Sequence, residues 1–310
     1  MNEHLVYIDQ NVIGLQLNGK LNLHENGGIL WVYSEEHFSE IKRSNESEKY
    51  LKVLNDIGAK LLAPILNEDK IPTDKAEIIY DGTPFFHYQN YIEANNGVDF
   101  DDTIFDPLHV WLNGGGSICG LKGVSNSILD QVHKLTPELH FEKNELHNKI
   151  NLVKPEFDLM VDQMISNGND ILKTRAAFGD EKGSIGSISG ERQIEEIWEI
   201  VSPIFSEVDI SCDQFFGFES NGKQESEQWP VYLGIISCCA IMDILGFQSE
   251  KKCRKINKLP NVKSDSIHIA MGAYCSAILS EDERLIKRAK AIYEYKGIGS
   301  FPILIERSTS

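Results

Sequence analysis

Short apolar runs that stop at polar residues occur near both ends of the chain. Residues 5–8 form such a run and end at Asp9, which is the pattern of a buried strand that reaches a polar edge. Residues 29–33 form a second run. Residues 277–279 and 301–305 form two more. We therefore predict four short, buried strands, two at each end of the chain.

Segments whose apolar residues have the spacing of a helix follow these strands in the sequence. Ser34 predicts a helix N-cap, with acids in the first turn where they suit the helix dipole. A second helix is expected from about residue 46 to residue 62, ended by Pro64. Three more are expected at 232–245, at 265–274 behind Ser264 as its cap, and at 281–293. Strands alternating with helices predict an α/β fold with a mostly parallel central sheet flanked by helices.

The middle of the chain is expected to be a large, mainly helical insertion. Residues 1–45 and 230–310 would form the core, and residues 46–229 the insertion. Residues 65–135, which are rich in Asp, Asn and Gly, give few predicted elements. The elements expected elsewhere in the insertion are helices at 139–164 and 191–201 and a flexible Gly/Ser loop at 179–190.

The amino-acid composition indicates a globular protein and bears on whether it binds nucleic acid. The chain has 310 residues, 41% of them hydrophobic and 25% charged, which are globular values. Its net charge of −17 argues against a high-affinity, non-specific binder of nucleic acid. It does not exclude a metal-dependent nuclease, because such a site needs carboxylates and the bound cations reverse the local field. Any basic surface must then be local or come from a partner.

The cysteines and the apolar segments bear on the compartment. Six cysteines occur without a C-x-x-C pair, so a zinc site has little support, and we expect buried thiols in a reducing compartment. The first residues lack the basic segment of a signal peptide. The apolar stretch 229–247 favours a buried helix over a membrane span. Together these features predict a cytoplasmic protein without membrane contact.

Four acids lie where a predicted strand ends or on a neighbouring helix: Asp9, Glu40, Asp265 and Asp282. The carboxyl ends of strands form the ligand crevice of open α/β sheets, so these side chains are expected to converge there. Carboxylate oxygens are the ligands of hard divalent cations, and two such ions can activate a water and stabilise a leaving oxygen. Each acid also has a local interpretation, as a turn residue, a helix cap or a solvated helix face.

Several segments resemble the PIN-domain nucleases. Residues 6–13 are similar to the opening strand of that family, which ends in Asp-x-Asn. Residues 31–41 look like its second acidic segment. Residues 264–270 and 276–285 are similar to its closing helix and strand. The resemblance covers about 1–45 and 230–310, and the long segment between the second and third acids departs from a compact PIN domain.

The resemblance implies roles for named residues. Asp9, Glu40, Asp265 and Asp282 would be the catalytic acids that hold Mg²⁺ or Mn²⁺. Four further residues would support them, Asn11 and Ser280 through hydrogen bonds and Glu36 and Glu283 as additional or substitute acids. His268 is interpreted as a packed or surface histidine, with site contact as the alternative. The C-terminal basic residues, which include Arg288, are interpreted mainly as a solvated helix face.

The resulting functional expectation is a cytoplasmic, divalent-metal-dependent endoribonuclease that leaves a 5′-phosphate and a 3′-hydroxyl. The resemblance further implies a toxin or defence nuclease, and the acidic charge favours inhibition or delivery by a protein partner. RNA is the preferred substrate, with a DNA or flap-type nuclease as the alternative. A non-catalytic PIN-like binding module is a second alternative, since a fold can be kept as a scaffold.

Overall fold

One sheet organises the molecule. The computed structural model describes residues 3–24, 27–68, 70–95, 106–115, 121, 123–124, 126–127, 130, 143–166, 185–207, 209–219, 229–249 and 254–306. Within these residues six strands form a sheet in the order β4-β3-β2-β1-β5-β6. The strands are β1 His4–Ile8, β2 Ile29–Tyr33, β3 Lys60–Leu66, β4 Pro72–Ile79, β5 Ala277–Ser280 and β6 Phe301–Leu304.

All neighbouring strands pair in parallel except β4, which runs antiparallel to β3. The helices that flank them are α1 Gln10–Leu17, α2 Glu35–Arg43, α3 Ser47–Asp56, α4 Pro84–Ala94, α5 Asp106–Leu112, α6 Lys143–Ser166, α7 Gln193–Val201, α8 Cys212–Phe216, α9 Val231–Leu245, α10 Leu259–Gly272 and α11 Glu283–Lys296. The predicted α/β fold with a mostly parallel sheet is confirmed.

Two strands lie outside the predicted core. The helix expected to reach residue 62 ends at Asp56, because Gly58 takes a positive φ of 68° and the chain then enters β3. With β4, this strand extends the sheet into the range that the sequence assigned to the insertion. The expected flexible loop lies partly outside the described residues, and its described part, 185–190, has neither helix nor strand.

The sheet is covered by apolar side chains on both faces. Because successive side chains of a strand point to opposite faces, Tyr7 joins the cluster formed with α7, α9, α10 and α11. Its neighbours Val6 and Ile8 join the cluster formed with α1, α2 and α3. Strands buried on both faces are typical of parallel sheets between helical layers, and their continuous apolar runs are what made them recognisable.

Helix α10 packs very closely on the sheet. A Cβ atom placed at Gly272 would lie 2.8 Å from Cδ1 of Ile278 on β5 and 2.8 Å from Oη of Tyr293 on α11. Any larger residue would force Ile278 or Tyr293 to shift, so glycine suits this approach. The contact fixes α10 against the centre of the sheet, which matters for the polar side chains that this helix carries.

Helix α9 corresponds to the apolar stretch in the last third of the chain. It buries Cys238, Cys239 and Met242 in the core, as expected of a core helix. In the described ranges, no helix combines the length and the apolar character that crossing a bilayer requires.

Candidate functional site

The candidate site lies where the order of the strands reverses. The chain passes from β1 outward to β2, β3 and β4, and then returns to the other side of β1 to form β5 and β6. In open α/β sheets the crevice at the carboxyl ends of the strands on either side of such a switch point binds ligands. Asp9 directly follows β1, and its N–H donates to the carbonyl of Leu279 on β5, 2.9 Å away.

Asp9 is buried and held by hydrogen bonds from the end of β5. Its exposed fraction is 4%, and its Oδ2 accepts a 2.6 Å hydrogen bond from the hydroxyl of Ser280. Asn11 acts one step further away, because its Nδ2 donates to Oγ of Ser280 at 3.3 Å and its Oδ1 accepts from the N–H of Glu281 at 3.1 Å. Ser280 therefore orients Asp9 directly, and Asn11 supports Ser280.

Glu40 and His268 complete a cluster with Asp9. Nε2 of His268 lies 3.1 Å from Oε2 of Glu40 and 3.6 Å from Oδ1 of Asp9. One ligand atom from each of the three residues lies within 4.8 Å of the others. His268 is fully buried, as expected of a packed histidine, and it also makes the alternative contact with the predicted acids. The available signal was its position one turn after Asp265, which puts both side chains on one face of α10.

The charges of these three residues are strongly coupled. Burial would raise the pKa of Glu40, but the hydrogen bond and the charge of His268 lower it to about 2. Burial would lower the pKa of His268, but Glu40 and Asp9 raise it to about 9. For Asp9, burial outweighs the effects of His268 and Ser280, and its pKa is raised. The cluster therefore holds buried negative charge that one imidazole only partly offsets.

The other ring nitrogen of His268 is held from the opposite side. Nδ1 lies 2.7 Å from Oη of Tyr7, and that hydroxyl lies 2.7 Å from Oγ of Ser34. Burial raises the pKa of Tyr7 far above its ordinary value, so the phenol keeps its proton. Tyr7 was not expected at a polar site, because in the sequence it counts as one more apolar strand residue.

A second buried histidine lies beside the first but stays neutral. The ring centroids of His37 and His268 are 4.9 Å apart. Nδ1 of His37 accepts from the N–H of Ser34 at 3.1 Å, and its Nε2 lies 2.7 Å from the carbonyl oxygen of Ile8. Burial, together with the nearby charge of His268, lowers the pKa of His37 to about 3. With both nitrogens engaged by the backbone, His37 fixes the start of α2 and thereby Glu40.

Asp265 lies on α10 at the edge of the cluster. Its pKa is raised by burial and, to a smaller extent, by the negative charges of Asp9 and Asp282, while Arg288 opposes the shift. Its Oδ2 lies 3.9 Å from Nη2 of Arg288. The side chain is still 26% exposed, so Asp265 connects the buried cluster with solvent.

The predicted N-cap at Ser264 is wrong. Helix α10 begins five residues earlier, at Leu259, so Ser264 lies within the helix and is fully buried. Its hydroxyl donates to Oε1 of Glu36 at 2.5 Å, which ties α2 to α10. Burial raises the pKa of Glu36, although this hydrogen bond opposes the shift. Glu36 is thus a neighbour of the cluster.

The two acids after β5 differ in their surroundings. Asp282 caps α11, with Oδ1 accepting from the N–H groups of Arg284 at 2.8 Å and Leu285 at 3.2 Å. Glu283 is 64% exposed and pairs with Lys287 one turn later at 2.7 Å. Asp282 therefore stays close enough to influence Asp265, whereas Glu283 is a solvated residue of the first turn.

Arg288 does not lie on a solvated helix face as predicted. It is 2% exposed, and its Nη1 donates to both carboxylate oxygens of Asp243 at 3.1 Å. It therefore joins α9 and α11 at the back of Asp265. Arg288 supplies a permanent positive charge beside the candidate site.

A cleft of about 440 Å³ adjoins the cluster over the end of β3. Its walls include Glu36, Pro64, Tyr91, Tyr232 and Met271. A larger cavity, about 720 Å³, lies against α11 and the start of β6. Neither lining contains Asp9, Glu40, Asp265 or Asp282. Of the predicted site residues, Glu36 lines the cleft.

The donor set fits a divalent cation. Carboxylate oxygens suit Mg²⁺ and Mn²⁺, and an imidazole nitrogen suits ions of the transition series. Three donors from separate elements already lie within the span of one coordination sphere.

Comparison of the chain with protein-family models, with curated proteins and with solved structures found no match.

Proposed function

We propose that this chain is a PIN-like, divalent-metal-dependent nuclease that hydrolyses phosphodiester bonds, with RNA as its preferred substrate. The observation that carries the proposal is the convergence of acids from distant parts of the sequence. Asp9 and Glu40 meet at the switch point of the sheet with His268, and the charges of Asp9 and Asp282 raise the pKa of the nearby Asp265. The order of acidic motifs along the chain supports the same family.

The electrostatics of the cluster support a cation site. A buried carboxylate normally has a cation or several hydrogen-bond donors beside it, because burial without compensation is costly. Here burial raises the pKa of Asp9, of Glu36 and of Asp265, whereas His268 lowers that of Glu40, so the protein compensates these acids unequally. A divalent cation would supply the missing positive charge. Perturbed acids that cluster in a crevice are typical of functional sites.

The proposed roles follow from the contacts. Asp9 and Glu40 would hold Mg²⁺ or Mn²⁺ at the buried end of the site. Asp265 and Asp282 would act at its solvent side, where a phosphate group can enter. When bound, such ions lower the pKa of water and stabilise the charge that develops on the phosphate. Ser280 keeps Asp9 in one orientation, and Arg288 limits the repulsion around Asp265.

The decisive experiment compares matched acid-to-amide variants on a substrate panel. Single-stranded RNA, single-stranded DNA and branched DNA are incubated with Mg²⁺ or Mn²⁺ and each protein. We expect RNA cleavage by the wild type and a loss of at least about 100-fold in Asp9→Asn and Asp282→Asn. Asparagine retains the capping oxygen of Asp282, so that variant removes charge without removing the helix cap.

Glu283→Gln is the matched control, because it makes the same chemical change next to Asp282 on an exposed side chain. Its activity should stay within about twofold of the wild type. Cleavage that survives both Asp9→Asn and Asp282→Asn would refute the site. Cleavage of DNA but not of RNA would replace the substrate assignment with the DNA-nuclease alternative.

A further inference from the structure

We propose that Nε2 of His268 is itself a metal ligand, together with Asp9 and Glu40, and that this nitrogen makes the centre prefer Mn²⁺ over Mg²⁺. The inference rests on the proposed function, because it concerns the same metal centre. It goes beyond the acids that the sequence resemblance implies, since it adds a nitrogen donor and a consequence for metal choice.

The distances suit donors that share one ion. Nε2 lies 3.1 Å from Oε2 of Glu40 and 3.6 Å from Oδ1 of Asp9. Two donors that each lie about 2.1 Å from one ion are about 3 Å apart when they occupy adjacent octahedral positions. Asp9 directly follows β1, whereas Glu40 lies on α2 and His268 on α10, so three separately anchored segments present their donors to one point.

The outer contacts of His268 are those of a metal-binding imidazole. Ligand histidines characteristically donate their second N–H to a fixed acceptor, which sets the tautomer and the direction of the ring. Nδ1 of His268 lies 2.7 Å from Oη of Tyr7, whose hydroxyl can be donated onward to Oγ of Ser34 at 2.7 Å. Without a cation, a proton on Nε2 is shared with Glu40 at 3.1 Å. A bound cation would replace that proton and take the lone pair of Nε2, while Nδ1 keeps its proton towards Tyr7.

Packing holds the ring in this direction. His268 is fully buried and its ring lies against the rings of Tyr7 and His37, with centroids 5.7 Å and 4.9 Å apart. The neighbouring His37 is no competing ligand, because the backbone engages both of its nitrogens. Within the described residues the cluster therefore offers one imidazole nitrogen.

A nitrogen donor changes which ion the centre favours. Mg²⁺ strongly prefers oxygen ligands, whereas first-row transition ions accept imidazole nitrogen. Replacing the imidazole with an amide oxygen donor should therefore weaken Mn²⁺ binding and leave Mg²⁺ binding nearly unchanged. A side chain that served only as a counter-charge would give no such difference between the two ions.

The test is pulsed electron paramagnetic resonance on the full chain loaded with Mn²⁺. A coordinated imidazole gives a nitrogen modulation of the Mn²⁺ signal, which changes when the histidines carry ¹⁵N. We expect this modulation in the wild type and its loss in His268→Gln. His24→Gln, which alters an exposed histidine, should retain it. By calorimetry, His268→Gln should bind Mn²⁺ at least about tenfold more weakly, with Mg²⁺ affinity changed by less than about threefold.

The outcomes separate the two proposals. Mn²⁺ binding and metal-dependent cleavage by the wild type without nitrogen modulation would overturn the role of His268 and leave the nuclease standing. Modulation that persists in His268→Gln would also overturn it. Absence of divalent-cation binding to the wild type would overturn both. If His268→Gln does not fold, the isotope-edited wild-type spectrum still decides whether a histidine binds the ion, and Tyr7→Phe should retain the modulation.

Discussion

Two buried aspartates in this molecule differ in the groups that compensate their negative charge. Asp9 and Asp243 are 4% and 3% exposed. Asp243 is paired with the guanidinium of Arg288, whose Nη1 reaches both carboxylate oxygens at 3.1 Å. Asp9 has the hydroxyl of Ser280 at 2.6 Å and the imidazole of His268 at 3.6 Å.

The difference is in the permanence of the neighbouring charge. A guanidinium in a protein keeps its proton, so the Asp243 pair is a fixed structural link between α9 and α11. An imidazole can give up its proton and offer a lone pair in its place. A buried carboxylate beside a permanent cation is satisfied, whereas one beside an imidazole can still accept a metal ion.

The largest expected effect concerns the fixed pair. Arg288→Met removes the guanidinium that reaches both oxygens of the buried Asp243 carboxylate, and we expect the free energy of unfolding to fall by about 3–5 kcal/mol. Urea denaturation with the metal-free protein measures it. The double variant Asp243→Leu, Arg288→Met should recover most of the loss, because it removes both charges. A single variant as stable as the wild type would show that the pair is not structural.

Replacing each of the two aspartates with asparagine compares their contributions to stability. Asp243→Asn breaks the pair and should lower the free energy of unfolding by about 3 kcal/mol. Asp9→Asn removes a carboxylate whose pKa is already raised by burial, so the stability of the metal-free protein should stay unchanged or increase. Thermal denaturation in a chelator compares the two. Equal destabilisation by both variants would contradict the proposed difference between Asp9 and Asp243.

The smallest expected effect concerns the orientation of Asp9. Ser280→Ala keeps the Asp9 carboxylate but removes its 2.6 Å hydrogen bond, together with the bonds that the hydroxyl accepts from Asn11 and from the N–H of Asp282. Loss of such an outer contact typically lowers metal affinity by about 10–100-fold. Calorimetric titration with Mn²⁺ measures this change. Ser266→Ala is a suitable control, because that hydroxyl donates to the carbonyl of Lys263 on the same helix; its metal affinity should equal that of the wild type.

Local patterns were sufficient for part of this molecule. The strands that end at Ile8 and Tyr33 were predicted with their bounds nearly correct, because a buried strand of a parallel sheet is a continuous apolar run. β3 was mistaken for the end of a helix, since short apolar runs fit both periods and the turn at Gly58 was overlooked. The start of α10 could also have been predicted correctly, because Pro260 lies in its first turn and proline is frequent at helix starts.

The missed site residues depend on tertiary contacts. Arg288 falls on the buried stripe of α11, three residues after Leu285 and four before Ile292, so the helical period could have identified it. Its partner Asp243 is an acid in an apolar helix that requires a cation. Tyr7 and His268 could not be paired from sequence, since 261 positions separate them and their contact depends on how α10 packs on β1.

The wide separation of the site residues along the chain has a consequence for synthesis. Glu40 and His268 are 228 positions apart. At about 5–20 residues per second, a ribosome needs on the order of 10–50 s to pass from one to the other. During that interval the nascent chain carries the first two acids without the helix that completes the cluster. The proposed metal centre therefore stays incomplete during synthesis until α10 has been translated.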